Sequence, residues 1–202
     1  MVKALMMDVD GVLVHGRPED RRHWSTSIEE DLGLRNNDLQ REFFDVYWED
    51  VVLGRVMLAD SLSPVLDKIA PHLTPDRLIA YWFERDSRLD RELLQELAAI
   101  RSAGILIYLA TNQEHQRAHY LMRTVGLAEH VDGIHYSAQI GARKPNRDFF
   151  DKVASTMGFP ASELLLVDDS PDNTRAAQAA GWKAFHWTGR KSLTETLGEM
   201  RK

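Results

Sequence analysis

Apolar positions in this chain come in two textures. Three short runs are apolar at every position: Ala4-Leu5-Met6, Ile105-Leu106-Ile107-Tyr108-Leu109-Ala110 and Leu164-Leu165-Leu166-Val167. A strand buried on both faces reads this way, as in a parallel sheet covered by helices on either side. The first run predicts a strand over residues 2–8, and shorter strands are expected over Gly133 to Ser137 and Lys183 to Trp187. Between the runs lie stretches with apolar residues at helical spacing. They predict helices over Leu89 to Ser102, Gln113 to Val125, Asn146 to Met157, Pro171 to Ala180 and Ser192 to Met200. Glycines at 104, 126, 158 and 181 close the first four, as helix C-termini favour. Strands alternating with helices predict an α/β fold with a doubly wound parallel sheet.

Residues 19–86 break this alternation. They are rich in charge and aromatics, with Trp24, Phe43, Phe44, Tyr47, Trp48, Tyr81, Trp82 and Phe83, and no strand intervenes. Leu39, Phe43, Phe44, Tyr47 and Trp48 fall at helical spacing. Ser63-Pro64 is read as opening a second helix, and Thr74-Pro75-Asp76 a third, with Thr74 as N-cap and Pro75 at the first helical position. The region reads as a helical insertion, so the first strand must join the sheet across it. The expected division is 1–18 and 87–202 for the α/β unit and 19–86 for the insertion.

Composition narrows the partners. The 202 residues carry 25 basic and 31 acidic side chains, a formal charge of −6, which argues against nucleic acid or an anionic membrane surface. There is no cysteine, so disulfides and thiolate metal sites are excluded. No apolar run approaches the roughly 20 residues that span a bilayer, and Asp8 and Asp10 interrupt any signal-peptide core. The expectation is a cytoplasmic protein, monomeric or homodimeric.

The chemistry gathers where the strands end. In open parallel sheets, ligands bind beyond the carboxyl ends of the strands. The first strand ends at Asp8-Val9-Asp10-Gly11, the second at Thr111-Asn112, the fourth at Asp168-Asp169-Ser170, and Lys144 stands just ahead of a helix. Asp8 and Asp10, two apart on a strand, face the same way, and like charges that close raise each other's pKa. Four carboxylates with one ammonium need a further cation, and carboxylate oxygens suit Mg²⁺. Thr111 and Asn112 ahead of a helix, with Lys144, make an anion site that fits a phosphate. Asp8 is then placed to attack phosphorus, and Asp10 to protonate the leaving oxygen and afterwards activate water.

Asp8-Val9-Asp10-Gly11, Thr111, Lys144 and Asp168-Asp169 resemble, in order and placement, the four motifs of the haloacid dehalogenase-like (HAD) hydrolase superfamily. The insertion resembles the helical cap of its first subclass, and Val167-Asp168-Asp169-Ser170-Pro171-Asp172-Asn173 is similar to the acidic-pair variant of small sugar-phosphate phosphatases. The resemblance implies a Rossmann-like core and a Mg²⁺-dependent phosphatase that hydrolyses a small phosphorylated metabolite through an aspartyl-phosphate. It assigns Asp8 as nucleophile and metal ligand, and Asp10 as acid/base lending its carbonyl to the metal. Thr111, Asn112 and Lys144 fall to the phosphoryl group, Asp168 and Asp169 to the metal. Asn173 is expected to hold Lys144 or an acid. A phosphomutase shares this machinery. A 2-haloacid dehalogenase is disfavoured by Asp10, and a non-catalytic phosphate-binding regulator by the intact motif set.

Each residue also has a plainer reading. Asp8 and Asp10 suit a polar turn, Thr111 and Asn112 suit helix capping, Lys144 a solvated surface, and Ser170-Pro171 a helix start. His115 and His119, four apart, lack an evident third ligand for zinc and are read as an exposed helix face. The aromatics of the insertion are read as its core, with Tyr47, Trp48 and Trp82 as candidates for the cleft. Gly54-Arg55 is read as a turn, with Arg55 a possible substrate contact.

Overall fold

The computed structural model describes residues 2–190 and 192–199. Its centre is a five-stranded parallel sheet: β1 (Ala4–Met7), β2 (Leu106–Thr111), β3 (Gly133–Tyr136), β4 (Leu164–Asp168) and β5 (Lys183–His186), in the order β3-β2-β1-β4-β5. The strand nearest the N-terminus is therefore the middle of the sheet. β1 pairs with β2 from Ala4 opposite Leu106 to Met7 opposite Leu109, and with β4 from Ala4 opposite Leu164 to Met7 opposite Val167.

The period of two along each strand sorts its side chains onto two faces. Leu5, Met7, Ile107, Leu109, Leu165 and Val167 meet α6 (Arg91–Ser102), α7 (His115–Arg123) and α11 (Leu193–Glu199), through Leu93, Leu97, Leu121 and Leu193. Ala4, Met6, Ala110, Leu164 and Leu166 meet α9 (Arg147–Met157) and α10 (Pro171–Ala179), through Phe149, Phe150, Val153 and Ala177. Burial on both sides is why these strands carry no polar alternation.

Between β1 and α6 the chain forms α1 (Ile28–Leu32), α2 (Asn36–Leu39), α3 (Asp45–Val52), α4 (Leu58–Ile69) and α5 (Pro75–Arg85), with no strand among the described residues. These helices share a separate apolar cluster around Trp24, Phe43, Leu58, Leu62, Leu66, Leu78 and Trp82. The aromatics at helical spacing do not lie on one continuous α-helix. A π-helical stretch over Gln40–Phe44 separates α2 from α3, an extra residue per turn that resets the face. Ser63-Pro64 does not open a helix either: α4 begins at Leu58 and Pro64 lies inside it. The third start is as expected, with the Thr74 hydroxyl accepting from the Arg77 N–H and Pro75 in the first turn.

Elsewhere the elements match within a few residues. Leu89 lies outside α6, which starts at Arg91 because the Asp90 carboxylate caps it, accepting from the Leu93 N–H. α10 ends at Ala179 and α11 at Glu199; Met200, the expected end of the last helix, lies outside the described residues. Among the described residues no helix is long and apolar enough to cross a membrane.

Candidate active site

The site grows from the sheet register. Met7 lies opposite Val167, so the next residues, Asp8 and Asp168, emerge side by side at the carboxyl end of β1 and β4. Between them stands Lys144, delivered by the segment between α8 (Ser137–Ile140) and α9. Its Nζ lies 2.9 Å from Asp8 Oδ1 and 2.6 Å from Asp168 Oδ2, with the residue 1% exposed. The Asn112 side chain fixes the Lys144 backbone from both sides: its Nδ2 donates to the Lys144 carbonyl at 2.9 Å, and its Oδ1 accepts from the Lys144 N–H at 2.9 Å. The Lys144–Pro145 peptide is cis.

Asp168 is fully enclosed and its oxygens are well used. Oδ1 accepts from the Ser170 N–H at 2.8 Å and the Asn173 amide at 3.0 Å, and Oδ2 accepts from Lys144. Asp8 Oδ1 also accepts from the Val9 N–H at 2.8 Å. The charges do not balance. Burial, and then the neighbouring Asp168, push the Asp8 carboxyl up to about 7, against the pull of Lys144. Burial works against the Lys144 ammonium too, but Asp8 and Asp168 outweigh it and hold its pKa above the ordinary value. Asp169 is raised, by burial and by Asp168. One ammonium thus serves three acids.

Asp8, Asp168 and Asp169 each bring a carboxylate oxygen within 4.8 Å of the others, the one such group of potential metal ligands among the described residues. Hard oxygen donors with an excess of negative charge fit a Mg²⁺-sized dication. Gly11 is part of this fit. Its φ is +80°, and a Cβ there would overlap the Asp169 carboxylate. The turn that follows is closed by backbone bonds from Leu13 and Val14 N–H to the Val9 carbonyl, at 2.8 and 2.9 Å.

Asp10 occupies a different environment. Its side chain is 51% exposed, and Gln113 Nε2 donates to its Oδ2 at 2.6 Å. The same Gln113 nitrogen lies 3.5 Å from the Thr111 hydroxyl, which is buried at the last position of β2. Asp8, Asp10, Thr111, Lys144, Asp168 and Asp169 all gather at one edge of the sheet. Asn112 is there as well, with its side chain committed to the Lys144 backbone.

The capping reading of Thr111 and Asn112 fails for a specific reason. Glu114 caps α7 instead, its carboxylate accepting from the Gln116 N–H at 2.8 Å and from the Arg117 N–H. α7 therefore starts at His115 rather than Gln113, which leaves Thr111 and Asn112 outside its first turn. The turn before α10 does follow the plainer reading, with the Ser170 hydroxyl accepting from the Asn173 N–H.

Three residues of this neighbourhood were not singled out in the sequence: Gln113, Arg117 and Asp86. Arg117 is 2% exposed, and it donates to the carbonyls of Phe83, at 3.1 Å, and Asp86. Burial, then the nearby Asp10, push the Asp86 carboxyl up to about 6. The available signal was proximity in sequence: Gln113 directly follows the Thr111-Asn112 strand end and Arg117 lies in the first turn of the helix after it. His115 is half-buried, with Nδ1 3.3 Å from the Tyr136 hydroxyl, while His119 is exposed. Tyr47 and Trp48 are half-buried on the aromatic cluster and Trp82 is buried in it. Arg55 turns outward to Asp50, 2.8 Å away.

Acidic side chains and one enclosed ammonium at the carboxyl edge of a parallel sheet make an enzyme site of the α/β class. A family model described as haloacid dehalogenase-like hydrolase matches residues 2–181, and the chain belongs to that hydrolase family. It is 28% identical over 189 residues to the sesquiterpene phosphatase astK of Aspergillus oryzae, covering 92% of this chain and 90% of that one. It is 32% identical over 190 residues to a phosphoglycolate phosphatase of Neisseria gonorrhoeae, covering 89% and 77%. Among solved structures it resembles a HAD family enzyme from Bacteroides thetaiotaomicron, determined as a magnesium complex. The TM-score is 0.80 and the identity 19%, over 97% of this chain and 98% of the other. The likeness confirms the Rossmann-like core.

Proposed function

We propose that this hydrolase is a Mg²⁺-dependent phosphatase acting on a small phosphorylated metabolite through an aspartyl-phosphate. The observation that carries the reading is the unequal treatment of two acids two residues apart. Asp8 is buried against Lys144 beside two further carboxylates, while Asp10 is half-exposed and held by an amide. Two carboxyls in separate environments divide the labour of nucleophile and acid/base. Phosphatases among the similar proteins support the same chemistry.

In the first step an Asp8 carboxylate oxygen attacks phosphorus, the bond to the leaving oxygen breaks, and Asp10 gives that oxygen its proton. In the second, Asp10 takes a proton from water, the water oxygen attacks phosphorus, and the bond to Asp8 breaks, releasing phosphate. Lys144 steadies Asp8 and pairs with a phosphoryl oxygen, joined by the Thr111 hydroxyl and the Asn112 N–H. Asp8, Asp169, Asp168 and the Asp10 carbonyl would hold Mg²⁺, which when bound offsets charge on the phosphoryl oxygens. Residues 19–86 act as a cap over the 1–18 and 87–202 core, and their closure excludes water from the first step.

The test is phosphate release from p-nitrophenyl phosphate and a panel of phosphorylated metabolites, with Mg²⁺ and with EDTA. Asp8→Asn is expected to remove turnover in a chain that still unfolds cooperatively. Full turnover by that variant refutes the nucleophile assignment, and equal rates in EDTA refute the metal.

A further inference from the structure

The Asp10 carboxylate is approached by two enclosed side chains of the segment after β2. Gln113 Nε2 donates to Oδ2 at 2.6 Å, and the Arg117 guanidinium lies 3.9 Å from Oδ1. Gln113 is 3% exposed and Arg117 2%, whereas the Asp10 side chain is 51% exposed. A carboxylate that open to water has several rotamers, so rigid donors behind it decide which one it holds. With Oδ2 taken by Gln113, Oδ1 is the oxygen left to carry a proton to a substrate.

Both donors are tied to the helical insertion, one at its C-terminal end and the other near its middle. Arg117 donates to the carbonyls of Phe83, in the last turn of α5, and Asp86, just past it, where the chain returns from the insertion. Its guanidinium also lies over the rings of Phe83 and Tyr120, 5.3 and 5.8 Å from their centres. Gln113 is tied through its own carbonyl. The Ser137 hydroxyl lies 3.0 Å from it and 2.6 Å from the carbonyl of Val52, at the end of α3. An enclosed guanidinium is weak as a stabilising device, since an apolar side chain often does as well. A buried arginine that spans the carbonyls of Phe83 and Asp86, lies 3.5 Å from the Asp86 carboxylate and faces the half-exposed Asp10 suits a different task.

We propose that Gln113 and Arg117 are positioning residues that hold Asp10 for proton transfer, and that they make its placement depend on the seating of the insertion. The proposal rests on the phosphatase reading, in which Asp10 is the acid. The hydrogen bond from Gln113 sets the rotamer, and the guanidinium prevents Oδ1 from turning back towards Asp86. A shift of the insertion at Val52 or at Phe83–Asp86 moves these two donors first and Asp10 with them.

The test uses the full chain with Mg²⁺ and a series of phosphate monoesters whose leaving groups range from nitrophenol to simple alcohols. kcat/KM reports only the step in which the leaving group departs, so the second step does not enter. Proton donation matters for an alkoxide and hardly at all for a nitrophenolate. Gln113→Leu and Arg117→Lys are expected to lose about ten- to hundredfold on alkyl phosphates and less than about threefold on p-nitrophenyl phosphate. Ser137→Ala, which cuts the tie to Val52, is expected to show the same pattern at smaller size. A loss equal across the series, or no loss, overturns the proposal, because general loosening of the site slows every ester alike. If Arg117→Lys does not melt as a folded chain, Gln113→Leu decides alone. A parent chain inert on every ester defeats the phosphatase reading and this assignment with it. An active parent whose variants keep its leaving-group dependence defeats the assignment alone.

Discussion

Replacing Lys144 by methionine probes the charge balance on which the site depends. The ammonium lies 2.9 Å from Asp8 Oδ1 and 2.6 Å from Asp168 Oδ2, in a residue 1% exposed. Methionine fills much of the same space without the charge. Removing one partner of a buried ion pair costs about 3–5 kcal/mol, because the charge left behind has no compensation. In a chain of this length that lowers the melting temperature by roughly 10 °C. The pH dependence is the sharper readout. In the parent chain the Asp8 carboxyl already sits at about 7. Without the ammonium, one further buried carboxyl of the cluster must keep its proton in the folded state. A folded-state pKa raised above the unfolded value gives stability that is complete below the unfolded pKa and is lost as pH rises through the folded one. Each pH unit in that window removes about 1.4 kcal/mol per group. The variant's deficit relative to the parent therefore grows by about 2.7 kcal/mol between pH 5 and pH 7. Urea unfolding in EDTA at both pH values measures it, the chelator keeping divalent cations from standing in for the lost charge. A deficit under about 1 kcal/mol at pH 7, or one level across the two pH values, refutes the reasoning.

Gly11→Ala places a Cβ in the Asp169 carboxylate at a backbone angle of +80°. It is expected to cost about 1–2 kcal/mol in stability and about tenfold or more in Mg²⁺-stimulated phosphate release. Wild-type metal response, titrated by rate against Mg²⁺ concentration, would show that Asp169 does not depend on that turn. Asp86 bears on pH, since burial and Asp10 hold its carboxyl up at about 6. Its contribution to stability is complete below the unfolded carboxylate pKa and is lost as pH rises through about 6. Asp86→Asn removes that slope, so urea melts at pH 4 and pH 7 should favour the variant increasingly, by up to about 3 kcal/mol. No movement between the two pH values speaks against a buried, protonated Asp86.

Much of this fold is legible in the chain because burial on both faces leaves a plain signature. Leu164-Leu165-Leu166-Val167 has no polar position to spare, and β4 runs from Leu164 to Asp168 with every residue buried. Thr74-Pro75 marks a helix start through local chemistry that needs no partner elsewhere. Local signals misled where a distant contact outweighed them. Pro64 reads as a first-turn residue, yet α4 begins six residues earlier, with Leu58, Leu62 and Leu66 packed into the insertion's cluster. Gln113 reads as the start of a helix, yet Glu114 supplies the cap.

The sequence by itself determined the α/β class, the helical insertion and the set of acids, lysine and threonine that gather at the sheet edge. Strand-end placement follows from hydrophobic periodicity, which is a one-dimensional property. Only the tertiary structure decided how those residues divide. It set Lys144 between Asp8 and Asp168, turned the Asn112 side chain onto the Lys144 backbone, and put Gln113 and Arg117 behind Asp10. The physical reason is that pairing depends on strand order and on which side chains lose their water. Arg117 sits among polar residues in the sequence and reads as a surface arginine. It becomes a buried donor because the end of α5 and the residue just past it bring the Phe83 and Asp86 carbonyls to that spot, across more than thirty positions of chain.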